Sequence, residues 1–397
     1  MASGKLQWIG LGVWSSVVAA AMVACGGGGG SPSNAEATMR FAITDAPACG
    51  YDHVWVTVEK VRVHTSGSAA DADAGWTELA VTPARRVDLL TLTNGVLEEL
   101  GSTPLAPGHY SQVRLVLAAN TAGAATPANA VQPTGGAVVP LSTPSGQQSG
   151  LKLQANVDVA AGQMADLVLD FDACRSVVKA GNSGQYNLKP VVSVVPRIGS
   201  AIQGSLATSL VPAATTISAQ QNGVTVRSTA PDAAGNFSLP FLQAGTYTLV
   251  ITSDAHATGV IANVPAGSTN TVLSTTPITL PTSAMANVSG TVTATSGTPA
   301  TTSPVTDATL RATQSLTGGP VIEVARQNAD ATTGGYVLRL PMAAPVKATF
   351  GGTTLTFAAD AAVAGKYSIE STAPGRATVV KPADVSTSGA VTVDFAY

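Results

Sequence analysis

The sequence predicts an all-β protein built from antiparallel β-sandwich-like domains in series, and three observations predict it. Charged residues make up 11% of the 397 residues, against roughly 25% in an ordinary soluble protein, and Ala, Thr, Ser, Val and Gly take their place. Forty glycines and 24 prolines interrupt this Thr- and Val-rich chain, which suits short strands and tight turns rather than long solvated helices. Apolar residues also alternate with period two, as in Val113-Leu115-Leu117 and Leu167-Leu169-Phe171, with Arg114 and Asp170 on the opposite face. The length allows two or three domains of about 100–200 residues each. The net charge of −3 comes with scattered lysines and arginines, so the chain offers nucleic acid no electrostatic footprint.

At the N-terminus, Gln7 to Ala24 carry no charge and follow a single Lys5. A secretory signal needs a positive start, an apolar core of about 7–15 residues and small residues at the cut; here the core is Trp8 to Val23. A membrane-spanning helix needs about 20 predominantly apolar residues, and Gln7, Gly10, Gly12, Ser15 and Ser16 leave this stretch short of that. Its end, Ala21-Met22-Val23-Ala24-Cys25-Gly26, resembles the lipobox of a bacterial lipoprotein signal. The resemblance implies that residues 1–24 are removed and that Cys25 becomes an acylated N-terminus. The membrane is then a partner through the anchor, since two acyl chains already hold stably. Gly26, rather than an aspartate, implies the outer membrane. Residues 25–37 read as a Gly/Ser/Pro tether; the glycine run is no phosphate loop, because no strand precedes it and no Gly-Lys-Ser/Thr follows.

The first folded domain is expected over 38–198. Val54, Val56 and Val58 alternate with Trp55 and Thr57, and Val61 and Val63 continue the apolar face past Glu59-Lys60, as a β-bulge allows. Asn94 as cap, Leu97 and Leu100 on one face and Gly101 as terminator predict a short helix over 95–100; an Asn-Gly turn is the alternative. The Ala/Thr/Gly/Pro-rich stretch from Asn120 to Gly136 reads as a long surface loop. Leu151-Leu153 and Val157-Val159 lead into an Ala161-Gly162 turn, which predicts a hairpin with 165–172.

Thr44-Asp45-Ala46-Pro47, Val54-Trp55-Val56-Thr57-Val58, Leu115-Val116-Leu117, Leu167-Val168-Leu169-Asp170-Phe171-Asp172-Ala173 and Leu188-Lys189-Pro190-Val191 together resemble an uncharacterised family of domains found in bacterial lipoproteins. The resemblance supports an exported setting and implies no activity. With Cys25 assigned to lipid, Cys49 and Cys174 remain as an even pair in an exported chain, and they are predicted to be bridged, the alternative being two buried thiols. Closing so long a loop is worth at most about 4–5 kcal/mol by its entropy.

The segment 199–283 carries Asp232-Ala-Ala-Gly235-Asn236-Phe237-Ser-Leu239, then Phe241-Leu242-Gln-Ala-Gly245-Thr246-Tyr247-Thr-Leu249. Each piece is a glycine turn feeding a strand. The pattern resembles the carboxypeptidase-regulatory-like modules, small prealbumin-like β-sandwiches grouped with carbohydrate-binding-like folds, in which Phe237 and Tyr247 fall at core positions. A second copy over 284–397 repeats Ile202-Gln-Gly204 as Val288-Ser-Gly290 and Gly235-Asn-Phe237 as Gly334-Gly335-Tyr336. The Gly-x-Tyr turn is missing after Leu340, which marks this copy as degenerate. Val391, Val393, Phe395 and Tyr397 alternate as a closing strand; a membrane barrel needs many such strands and aromatic girdles, and aromatics are only 5%.

No catalytic constellation is expected. His53, His64, His109 and His256 stand apart from one another and from the cysteines, which leaves zinc unsupported. Ser176-Val-Val-Lys179 matches a Ser-x-x-Lys string without its partner motifs. Asp71-Ala-Asp73-Ala-Gly75, with Glu78, echoes a calcium loop but lacks the third acidic position and flanking helices, and reads as a polar turn. No metal and no cofactor are expected; the nearest candidate set is Asp45 with Asp170 and Asp172, the latter two about 7 Å apart on one strand face. Trp55, Trp76 and Tyr110 are the aromatics that a sugar-stacking surface would use. The sequence therefore points to a non-enzymatic, lipid-anchored envelope protein that binds or supports. A glycan or another envelope protein is the implied partner class, and a metal-dependent activity in the first domain is the remaining alternative.

Overall fold

Alternating apolar residues close three hydrophobic cores, each between two facing sheets, and together these make the all-β fold. In a computed structural model the described residues are 36–45, 50–143, 149–197, 199–210, 215–351 and 354–397. The signal, Cys25, residues 26–35 of the tether and Cys49 lie outside them, and the tether's last residue, Ala37, already opens the first strand. No helix among the described residues is long and apolar enough to cross a membrane.

The first core draws on Phe41, Val56, Leu115, Leu167 and Phe171, all fully or nearly fully buried. Its strands are β1 (Ala37–Asp45), β2 (Tyr51–His64), β3 (Thr77–Asp88), β4 (Glu98–Leu105), β5 (Gly108–Leu117), β6 (Ala130–Pro133), β7 (Val139–Ser142), β8 (Leu151–Val159), β9 (Met164–Phe171), β10 (Val177–Ala180), β11 (Gln185–Leu188) and β12 (Val192–Pro196), with a one-turn helix α1 (Ala173–Ser176) after β9. One sheet runs β12-β9-β1-β4; the other runs β10-β11-β7-β6-β2-β5-β8 with β3 also on β2. The predicted bulge in β2 is present, its register shifting between Val58 and Lys60 against both neighbours.

Three local expectations are corrected here. The helix over 95–100 is absent: Asn94 and Gly95 both take left-handed backbone, φ 59° and 80°, and launch β4. A register shift opposite Gly101 breaks the alternation of Leu100, Thr103 and Leu105, which hid the strand. The 120–136 loop contains β6, whose Val131 is buried and pairs with Val54. Strands β8 and β9 form no hairpin, because the Ala161-Gly162 turn carries the chain from the β5 edge of one sheet to β1 in the other.

The middle core holds Ile202, Ile217, Phe237, Tyr247, Leu249 and Ile261. Its strands are β13 (Ser200–Ser205), β14 (Thr215–Gln221), β15 (Val224–Thr229), β16 (Asn236–Leu242), β17 (Gly245–Ser253), β18 (Gly259–Ala266) and β19 (Thr271–Val272). The last core, with Val288, Leu310, Tyr336, Tyr367, Ile369 and Phe395, is formed by β20 (Met285–Ser296), β21 (Thr301–Pro304), β22 (Thr309–Ser315), β23 (Val321–Asn328), β24 (Gly335–Pro341), β27 (Lys366–Thr372), β28 (Val379–Asp384), β29 (Ala390–Thr392) and β30 (Phe395–Ala396).

All three modules share one plan of seven strands. In the middle module β13 pairs with β16 and, in parallel, with β19; β14 pairs with β15 and β17; β17 pairs with β18. The last module repeats this with β20, β22, β23, β24, β27, β28 and β29. The first repeats it with β1, β2, β3, β4, β5, β8 and β9. The antiparallel order thus has a parallel pair in every module, where the first strand meets the last.

A tyrosine marks the same corner each time. Tyr110 Oη donates to Ala106 O at 2.8 Å and Tyr247 Oη to Gln243 O at 2.9 Å, both four residues back and two residues after a glycine. In the last module the corner is Gly365-Lys366-Tyr367, and Tyr367 Oη donates to Pro341 O at 2.6 Å. The Gly-x-Tyr turn is therefore present rather than lost, displaced by an insertion over 342–364. That insertion carries β25 (Val346–Thr349) and β26 (Ala358–Ala359), and β25 pairs in parallel with β18 of the middle module. Val346 joins the middle core, with Phe350, Leu355 and Phe357 packed against it.

Candidate binding cleft

Besides that inserted segment, the modules meet through polar contacts and a small apolar seam. Asn94, which the sequence offered as a helix cap, instead accepts from Thr229 Oγ1 at 3.0 Å and Ser238 N at 3.1 Å, and its own N–H donates to Thr229 Oγ1. Gln220 pairs with the backbone of Glu323 as a strand would, donating to its O at 2.7 Å and accepting from its N at 2.8 Å. Val250 and Val260, on the outer face of the middle sheet, bury against Leu316 and Ile322. Asp330 accepts from Gly181 N at 2.8 Å, and Lys189 donates to Thr306 O at 2.6 Å.

Between these contacts lies a cleft of about 920 Å³, walled by all three modules. Its floor is the outer face of β14, β15 and β17, where cross-strand pairing sets Thr216 beside Thr252 and Ser218 beside Ser228. Residues two apart on a strand share a face, so the sequence Thr216-Ile217-Ser218-Ala219 places hydroxyls outward and Ile217 and Ala219 in the core. Glu323, Arg326, Tyr336 and Val337 of the last module and Asp172 and Arg175 of the first form the sides.

Four acidic and four basic residues line the cleft, and two of each stand as close pairs. Asp172 caps α1, accepting from Arg175 N at 2.9 Å, and its other oxygen lies 3.6 Å from the Arg175 guanidinium. Burial pushes the Asp172 carboxyl above its ordinary range against the pull of Arg175, and burial lowers Arg175. Glu323, 7% exposed, meets Arg326 at 2.6 Å, while Arg311 reaches Glu370 at 2.8 Å and Glu323 at 3.5 Å.

The predicted site residues fall in separate places. Asp170 is not on a solvated face: it pairs with Arg227 of the middle module at 3.0 Å, and burial pushes its carboxyl up to about 6 despite that guanidinium. Asp45 Oδ1 accepts from Ala173 N at 2.9 Å. The three candidate carboxylates thus each engage a different protein group, and no cluster of three or more His, Cys, Asp or Glu among the described residues is placed to hold a metal. Arg114 is also not on the solvent side of β5; it is wholly buried, bound to Asp71 at 3.1 Å and Ala69 O at 2.6 Å. Asp71 also binds Arg62, and Glu78 binds Arg62 at 2.6 Å, so these acids serve a basic cluster. Ser176 is buried and accepts from Val191 N at 2.8 Å.

The aromatic candidates are already engaged. His53 stacks on Trp55 at 4.7 Å, and the Arg86 guanidinium lies 4.5 Å from the same ring. His53 precedes Trp55 by two residues on β2 and Arg86 pairs opposite Thr57, so the indole has a neighbour from its own strand and one from β3. Arg62 and Arg114 lie 4.6 and 4.5 Å from the Trp76 ring, and Tyr110 is core. His64 accepts from Ser66 N at Nδ1 and donates from Nε2 to Ala74 O at 2.9 Å, a neutral tautomer. His109 bonds Asp158 and His256 bonds Asp254 O. The cleft hydroxyls went unnoticed in the sequence, although the polar partners of Ile217 and Ile251 in their alternating strands announce an outer face.

Residues 36–190 match the family described as a domain of unknown function (DUF4382). The match covers β1 to β11, the region whose motifs resemble an uncharacterised family. No curated protein matches the chain. Among solved structures, the Bacillus anthracis TIE protein is 12% identical with a TM-score of 0.17, over 91% of this chain and 50% of its own. The chain thus spans half the length of that protein. The minor pilin GBS52 of Streptococcus agalactiae is 11% identical with a TM-score of 0.17, over 58% of this chain and 93% of its own. A biofilm-associated protein BSP domain is 11% identical with a TM-score of 0.13, over 92% and 68%.

Proposed function

We propose that this chain is a non-enzymatic, lipid-anchored protein of the outer membrane that presents its three β-sandwich modules as one binding or supporting body. The observation that carries this reading is how the polar side chains are used. Asp170, Arg227, Asn94, Gln220 and Asp330 hold modules to one another, and this fixed arrangement suits presentation of a surface. The sequence around Cys25 supplies the anchor and 26–37 the spacer. The shared plan and glycine-tyrosine corners support reading the middle and last modules as carboxypeptidase-regulatory-like sandwiches.

Labelled palmitate supplied to cells making the full chain should enter the wild type and be lost in Cys25→Ser, which should move from the membrane fraction to the soluble one. Absence of label, or a variant that stays in the membrane, overturns the anchor. A Cys49–Cys174 bridge belongs to the same reading. Strands β1 and β9 run parallel, and Asp45 at the end of β1 binds Ala173 N, which brings the two chain segments together. Mass analysis after alkylation of native protein should find neither thiol modified without reductant; two modified thiols would remove the bridge.

A further inference from the structure

We propose that the three-module cleft is a binding site for a neutral, hydroxyl-rich ligand, an oligosaccharide, held on the hydroxyl floor of the middle sheet. This rests on the reading of the chain as a binding body and gives that body a ligand class. The first observation is that the hydroxyls of Thr216, Thr225, Ser228 and Thr252 line the cleft and make no side-chain hydrogen bond to any described residue. Elsewhere hydroxyls at module contacts are used: Thr229 bonds Asn94, and Ser283 accepts from Met342 and Ala343 N–H groups.

A hydroxyl donates once and accepts twice, so a floor of four unengaged hydroxyls matches a ligand whose own groups do both. A phosphate or carboxylate only accepts, and an ammonium only donates. The second observation is the charge of the walls. Asp172 stands with Arg175 and Glu323 with Arg326, and the other lining charges, Lys179 and Arg339 against Asp330 and Asp394, also balance, so the cleft presents donors and acceptors side by side with no dominant sign of field to draw an ion. Sugar hydroxyls can bridge such pairs, accepting from the guanidinium and donating to the carboxylate. The third is the apolar surface between them: Val177, Val324 and Val337 also line the cleft, and Val337 is 52% exposed, a fit for the C–H faces of sugar rings. The volume lies at the upper end of the ~300–1,000 Å³ common for ligand pockets, and walls already fixed by module contacts spare the ligand the cost of ordering them.

The test is calorimetric titration of the full chain, in detergent if acylated, with maltohexaose, cellohexaose and chitohexaose at millimolar concentration, alongside polygalacturonate and a neutral hexapeptide. At least one neutral hexasaccharide should bind saturably. Thr225→Trp from the floor and Val337→Trp from the facing wall should each abolish that binding, and the combined Thr216→Ala, Ser228→Ala and Thr252→Ala variant should weaken it about tenfold or more, with unchanged melting temperatures. No binding of any neutral hexasaccharide, equal binding in both tryptophan variants, or binding only of the polyanion or the peptide would overturn the proposal. The palmitate and fractionation results stand apart from these outcomes, so failure of the ligand class and failure of the anchored reading are told apart.

Discussion

Asp170 faces Arg227 at 3.0 Å with 12% of its side chain exposed, in the seam between the first and middle modules. Burial outweighs the guanidinium and lifts its folded pKa to about 6, with nearby Asp172 adding to the rise. A raised carboxylate pKa means the native state keeps its proton where the unfolded chain has lost it. Between about pH 4 and 6 the native state then binds more protons, so this group's stabilisation is present at low pH, fades as pH rises through 6 and changes little beyond. Asp170→Asn removes that titration. Urea unfolding from pH 4 to 7 should show the wild type losing more stability with rising pH than the variant, by at most about 3 kcal/mol at 1.36 kcal/mol per unit. Groups common to both proteins, such as Asp254 and Asp360, whose folded pKa values are lowered, cancel in the comparison. Identical pH profiles would show that Asp170 is an ordinary surface carboxylate after all.

At the scale of strands, two glycines show how tightly the shared plan is packed. A Cβ on Gly290 of β20 would meet Val393 O at 2.1 Å, and one on Gly204, the matching position of β13, would meet the Phe237 ring at 2.7 Å. A ring can tilt, whereas a backbone carbonyl cannot when it accepts from Tyr336 Oη and its own residue's N–H is tied to Ser289 O. Gly204→Ala should therefore cost about 1–3 kcal/mol, the usual range for overpacking, and Gly290→Ala more, while Gly389→Ala, with open space around it, should be near neutral. Thermal unfolding of the three variants tests the order, and a neutral Gly290→Ala would break it. The Gly204–Gly290 correspondence was legible from sequence because both glycines sit at the same step of a repeat. So were the strands with clean alternation and the bulge after Val58, which announces itself by a parity change. What failed was context. Leu97 and Leu100 are spaced like a helix face, but Leu97 precedes β4 and only Leu100 is in the strand, beside its register shift, and Asn94-Gly95 is a turn whose side chain serves another module. The Gly365-Lys366-Tyr367 corner was hidden because its partner strand lies 23 residues away across the 342–364 insertion. Nothing local in β25 says that it will extend a neighbour's sheet. The cleft was illegible for the same reason: its hydroxyls lie on three strands, and only assembly of the modules gives them walls.

At the scale of the molecule, the question is whether the modules behave as separate beads or as one cooperative body. Serial β-sandwiches on a chain are by default free to move, since interfaces between them are small and polar. Here the insertion over 342–364 ties the last module into the middle sheet, and the seam of Val250, Val260, Leu316 and Ile322 closes the same junction. Ile322 is fully buried there yet belongs to that seam rather than to the last module's own core. Ile322→Ala should therefore cost about 2–5 kcal/mol taken from the coupling between modules and little from either core. A calorimetric scan of the wild type should show the middle and last modules melting in one transition; in the variant that transition should split, with each part near its own intrinsic stability. If the wild type already melts in separate steps, the seam and the inserted strand do not couple the modules. The cleft floor on β14, β15 and β17 would then lack a fixed opposite wall, and the rigid presentation on which the proposed binding depends would be lost.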